Sequence, residues 1–141
     1  MLIEAIGRKQ KLRRADVVNQ LGRENITRIY KCADVLSGEV LETVRDREIQ
    51  SANIKRGRFD NCSKCLFRLP SDVEIGEVYG YLIDYVCEKD GLSPIDALFI
   101  VYNNNISNRI SEYNCAAYYS PINEQYRFYK TGEFSNMPAN I

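Results

Sequence analysis

Four residues, Ser71-Asp72-Val73-Glu74, constrain the fold of this chain more than any others. Their spacing is that of a capping box: the serine side chain accepts from the backbone at the third helical position, and the glutamate reaches back to the N-cap amide. Apolar residues then recur at helical spacing (Val73, Val78, Leu82, Ile83, Val86, Cys87) until Asp90-Gly91 supplies a stop. A second start follows at Ser93-Pro94-Ile95-Asp96, with serine at the N-cap and proline in the first helical position. Leu98, Val101, Tyr102, Ile106, Ile110 and Tyr113 carry the stripe onward, and Asn103-Asn104-Asn105 predicts a kink or a break in it. Residues 116–134 are aromatic and end in a turn over Lys130–Glu133, and the last seven residues are expected to fray.

The first half reads differently. Residues 11–22 fit a short helix with Leu12, Ala15, Val18 and Leu21 on one side and Gly22 as its stop. Residues 26–60 are rich in β-branched residues around the turn dipeptide Ser37-Gly38, and read as three strands ending in the basic turn Asn53–Asp60. The expected fold is therefore α+β. A small antiparallel sheet of three or four strands is followed by two or three helices packed across it. One domain spans residues 1–141, with a basic, β-rich part (1–69) and an acidic, mainly helical part (70–141).

Charge follows the same division. Residues 1–70 hold 15 of the 19 Lys/Arg and 9 of the 19 acids, a net +6, and residues 71–141 hold 4 and 10, a net −6. Opposite faces on copies of one chain attract, so a homo-oligomer is expected. No apolar run approaches the ~20 residues that span a bilayer, and no membrane partner is expected. Met1–Arg14 carries no apolar signal core. Five cysteines form no disulfide framework and fit free thiols in a reducing compartment. The expected location is cytoplasmic, the host cytoplasm if the gene is a phage's. Abundant Asn, Ile and Tyr and the absence of Trp lean toward an AT-rich bacterial or phage gene.

Lys55-Arg56-Gly57-Arg58-Phe59 is the leading binding motif. Three cations around a glycine suit phosphate oxygens, and Phe59 offers a stacking face for a base. The competing reading is a solvated turn whose charges protect an edge strand. Arg109, near Asn104, Asn105 and Asn108, could hold an anion in a cleft or pair with a neighbouring acid. The expected ligand set is Asn53, Lys55, Arg56, Arg58, Phe59, Tyr81, Asn105 and Arg109. Arg8, Lys9, Lys11, Arg13 and Arg14 read as an arm able to track a nucleic-acid backbone, or as solvated charge. Tyr79, Tyr81, Tyr85, Tyr118, Tyr119, Tyr126 and Tyr129 line a cleft or an interface, or pack in the core.

Signals for catalysis are missing. The chain has no histidine, so the usual Ser–His and Cys–His pairs do not arise, and it has no phosphate-binding loop or dinucleotide fingerprint. Cys62-Ser-Lys-Cys65 is half of a zinc-ribbon pattern without its other half. Neither an enzymatic activity nor a cofactor or metal is expected.

The run from Ile29-Tyr30-Lys31 through Ser37-Gly38 to Asn53–Asn61, with Val78-Tyr79-Gly80-Tyr81 further on, resembles the small β-domain that precedes or replaces HNH homing nucleases in phages. That domain is similar to the Apetala-type three-stranded DNA-binding module. The resemblance implies a β-domain closed by a basic turn. It does not carry over nuclease activity, because the nuclease histidines are absent. Phages also use small non-enzymatic proteins as antagonists of host defence, one class of which sequesters cyclic nucleotide signals.

Three functions follow as expectations. The first is a binding protein that sequesters a phosphate-containing ligand, a small (cyclic) nucleotide. The second is a DNA-binding module using the β-domain and the N-terminal arm. The third is a protein-binding inhibitor or immunity-type protein using the acidic helices.

Overall fold

A computed structural model describes residues 1–135, and the fraying expected of the last seven residues lies, except for Ser135, outside them. The chain forms eight α-helices among the described residues: α1 (Leu2–Gln10), α2 (Arg14–Lys31), α3 (Ala33–Leu36), α4 (Leu41–Ser51), α5 (Asp72–Asp90), α6 (Pro94–Asn103), α7 (Asn105–Ile110) and α8 (Ile122–Thr131). A 3-10 turn, Ala116–Tyr119, precedes α8.

No strand occurs among the described residues, which overturns the α+β fold and its antiparallel sheet. Segment 26–51, expected as strands, is helical, and the three-stranded module implied by the resemblance is absent there. The physical reason is visible in α4. Its inward face is Val44 and Glu48, with Ile49 and Ala52 packed alongside, so a carboxylate occupies a core position and hides the helical stripe. Arg28, on α2, meets that carboxylate at 2.5 Å. Tertiary pairing across 20 residues here outweighs the local preference of Ile, Thr and Val for strands.

The starts of α5 and α6, the stop after α5 and the break after α6 are as expected, whereas α8 is a helix where none is expected. Ser71 Oγ accepts from the Glu74 amide at 3.1 Å and Ser93 Oγ from the Asp96 amide at 3.3 Å. Glu74 does not reach back to its cap; it forms a two-pronged pair with Arg68 at 2.9 Å. Gly91 closes α5 in the left-handed region at φ 66°, where a Cβ would be strained. Asn104 breaks the α6–α7 stripe and caps α7, its Oδ1 accepting from the Ile106 amide at 2.9 Å. Gly22, at φ 80° and ψ 163°, ends the first part of α2 as expected, but the chain re-enters a helix immediately.

The halves share one interior. One apolar cluster gathers Ile75, Tyr79, Leu82, Val86, Val101, Ile106 and Ile110 with Val18 from α2. Another gathers Ile6, Leu12, Val17, Leu21, Ile26 and Ile54, and Ile3, Leu98 and Phe99 touch both. Helix α5 thus turns Ile75 and Tyr79 inward and leaves Val73 out. No helix among the described residues is long and apolar enough to cross a membrane.

Candidate functional site

The basic N-terminal residues do not form a free arm. Glu4 and Arg14 are each 1% exposed and face one another. Arg14 Nε donates to Glu4 Oε1 and Arg14 Nη2 to Glu4 Oε2, both at 2.9 Å, while Arg14 Nη1 donates to the Leu12 carbonyl at 2.6 Å. Arg8 Nε adds a third donor to Glu4 at 2.9 Å, and the Tyr113 hydroxyl a fourth. Arg8 then reaches the Pro70 carbonyl at 2.6 Å and Asp72 at 3.3 Å. One buried carboxylate thereby ties α1, α2, the loop before α5 and the segment after α7. Gly7 makes room for it: a Cβ there would lie 2.5 Å from Arg14 Cδ.

Burial pushes the Glu4 carboxyl up, but the arginines and Tyr113 outweigh it and hold it below the ordinary carboxylate range. Burial pushes the Tyr113 hydroxyl up to about 12. Lys9 and Lys11 are paired as well, with Asp46 at 2.6 Å and Asp60 at 3.3 Å. The expectation that these cations track a nucleic-acid backbone therefore gives way to internal pairing for four of the five. The fifth, Arg13, lays its guanidinium 4.5 Å from the Phe59 ring centre and donates to Asn108 at 3.1 Å.

The segment after α4 is different. Residues 54–60 form neither helix nor strand and are pinned through their backbone. The Gly57 amide donates to the Gln10 carbonyl at 2.7 Å and the Phe59 amide to the Lys11 carbonyl at 2.9 Å. The Lys55 amide donates to Gln20 Oε1, and Gln10 Nε2 to the Ile54 carbonyl. Gly57 is required here by contact, since a Cβ would come 2.6 Å from the Lys11 carbonyl oxygen. Lys55, Arg56 and Arg58 are exposed, and none forms a salt bridge among the described residues. This strip of three adjacent cations on a fixed backbone is the candidate site.

Beside it opens a cleft of about 440 Å³ whose lining includes Arg13, Phe59, Lys64, Glu112 and Tyr113. Its amides are already engaged: Asn61 Nδ2 donates to the Ser111 carbonyl, and Asn114 bonds both the Lys64 carbonyl and the Leu66 amide.

The expected ligand residues do not all gather. Lys55, Arg56, Arg58 and Phe59 belong to the strip, although Arg13 covers the Phe59 ring intended for a base. Asn53 is a helix stop at φ 51°. Asn105 is exposed at the start of α7, where its Oδ1 accepts from Asn108 Nδ2 at 3.4 Å. Arg109 lies with its guanidinium 5.9 Å from the Phe128 ring, against α8, and its buried Nε has no partner among the described residues. Tyr81 lines a second cleft of about 480 Å³ between α5 and the 3-10 turn, together with Tyr85 and Tyr118. Tyr79 is a core residue, stacked on Tyr102 at 4.1 Å.

Cys62 and Cys65 are free thiols in the loop before α5, and no group of three or more metal-ligating side chains gathers among the described residues. The Glu4 network was missed by reading cations as a cluster; the signal was Glu4 and Arg8 at i, i+4, one helical turn apart. Comparison with family models, curated proteins and solved structures returned no match.

Proposed function

We propose that this protein is a non-enzymatic binder of phosphate groups, and that its ligand is a nucleic-acid strand whose backbone lies along Lys55, Arg56 and Arg58. One observation carries this reading: among the described residues these three neighbouring cations lack acidic partners while most other basic residues of the first half are paired. The three side chains are exposed at the surface, which suits a row of phosphates better than one enclosed ligand. Pinning by Gln10, Lys11 and Gln20 lowers the entropy lost when the strip engages.

A second reading, sequestration of a small nucleotide, is favoured by the cleft of about 440 Å³ that adjoins the strip at Phe59. There Arg13 and Lys64 would meet the phosphates. Self-association remains compatible with either, but its electrostatic drive is reduced, because Arg8–Asp72, Arg23–Asp96 and Arg68–Glu74 already join the basic half to the acidic half within one chain.

Titrating a labelled single-stranded oligonucleotide and a labelled mononucleotide against the protein separates the readings. The proposal expects saturable oligonucleotide binding that weakens at least tenfold in Arg56→Ala/Arg58→Ala. Tighter binding of the mononucleotide, lost in Arg13→Ala, would favour the cleft. Binding of neither would reject both.

A further inference from the structure

The cleft of about 480 Å³ on the acidic half has a chemistry of its own. Its walls are aromatic and aliphatic: Tyr81, Tyr85 and Tyr118 face it with Val78 and Ile122. Tyr81 is 67% exposed, far more than a large aromatic residue needs for packing. Asp84 and Glu88 stand on its rim, four residues apart on α5, and neither forms a salt bridge or a hydrogen bond among the described residues. Of the other acids along α5, Asp72 pairs with Arg8, Glu74 with Arg68 and Asp90 with Lys130, while Glu77 is likewise unpaired among the described residues but does not line the cleft.

The amide and serine donors in the cleft are already engaged. Gln125 Nε2 donates to the Ala117 carbonyl at 3.0 Å, and Ser120 Oγ to the Ala116 carbonyl at 2.9 Å. What remains is two carboxylates, tyrosine hydroxyls and the faces of electron-rich rings. An anion could accept from the tyrosine hydroxyls but is repelled by both carboxylates, and a neutral polar ligand leaves the carboxylates unanswered. A cation with an apolar stem satisfies both sets, its head on a carboxylate and its methylenes on the rings. The preference of these rings is visible within the chain, since Lys89 already places its ammonium 5.4 Å from the Tyr85 ring centre.

We infer that this cleft binds an aliphatic di- or polyamine, with one ammonium on Asp84, another on Glu88 and the carbon chain against Tyr81, Tyr85 and Tyr118. Side chains at i and i+4 of a helix are neighbours, about 5–6 Å apart at Cβ, a spacing that two amines joined by about four methylenes can match. The inference is independent of the phosphate strip, which lies on a different segment of the chain.

The test is calorimetric titration of 1,4-diaminobutane and of spermidine into the full chain at low salt. Saturable one-to-one binding is expected, at least tenfold weaker in Asp84→Asn/Glu88→Asn and in Tyr81→Ala, and unchanged in Glu24→Gln/Asp34→Asn, which removes two carboxylates elsewhere. Both cleft substitutions lie at the surface, and an unchanged thermal melt confirms that the fold is intact. A lysyl-lysine peptide is titrated in parallel. If it binds more tightly than either amine with the same residue dependence, the occupant is a protein segment and the inference is overturned. Absence of saturable amine binding, or binding indifferent to Asp84 and Glu88, overturns it equally.

Discussion

Arg8 and Arg14 on one side, and Lys55, Arg56 and Arg58 on the other, are five cations of one basic half with opposite fates. The first two surround a buried carboxylate and hold four parts of the chain together. The other three stand exposed on a segment whose own backbone is fixed by its neighbours. The difference teaches that cation density is a poor guide to binding. What separates the sets is whether an acid lies within reach in the folded chain, and for Arg14 that acid is ten residues away on another helix.

The largest effect that would break this contrast lies in the buried set. Arg14→Ala leaves Glu4 as an uncompensated buried charge, and should reduce stability by roughly 3–5 kcal/mol in urea unfolding. A loss below about 1 kcal/mol would mean the network is not a keystone. Gly7→Ala attacks the same site sterically, because the new Cβ meets Arg14, and should lose about 1–3 kcal/mol.

Acid sensitivity sharpens the contrast. The folded-state pKa of Glu4 is depressed, so its contribution is fully present above the ordinary carboxylate pKa of the unfolded chain and is lost as pH falls through the lower folded value. Unfolding midpoints of the wild type should fall with pH on that acid limb. Glu4→Gln should be less stable at neutral pH and should show a shallower fall. An identical acid limb would show that Glu4 does not carry the dependence.

Gly57→Ala should have a mixed effect, smaller than that of Arg14→Ala. It presses on the Lys11 carbonyl and should cost about 1–3 kcal/mol. It should also weaken oligonucleotide binding by displacing the strip, although it removes no charge. Smallest of all for stability is Lys55→Ala/Arg56→Ala/Arg58→Ala, expected to stay within roughly 0.5 kcal/mol of the wild type because these side chains are exposed and, among the described residues, unpaired.

Legibility in the sequence tracked the range of the interactions. Ser71, Gly91, Ser93 and Asn104 act on amides or turns within a few residues, and their roles were readable. Helix α4 was not, because Glu48 in its core face is made tolerable by Arg28, a partner on another helix. The strip was readable as a basic, glycine-containing segment. That its cations are free, and that Arg109 and Tyr81 lie elsewhere, depends on contacts spanning tens of residues, such as Arg13 with Asn108. The +6 and −6 halves were countable, yet their partial neutralisation across Arg23–Asp96 emerges only on folding.

The most direct test of the account is the salt dependence of single-stranded oligonucleotide affinity, measured by anisotropy for the wild type and for Lys55→Ala/Arg56→Ala/Arg58→Ala. Each phosphate contact contributes about 0.7 to the slope of log affinity against log salt on a single strand, so removing three should flatten it by roughly 2. That flattening, with stability unchanged, is the predicted result. A slope that does not change, or a wild-type protein that binds no oligonucleotide at low salt, would contradict the account.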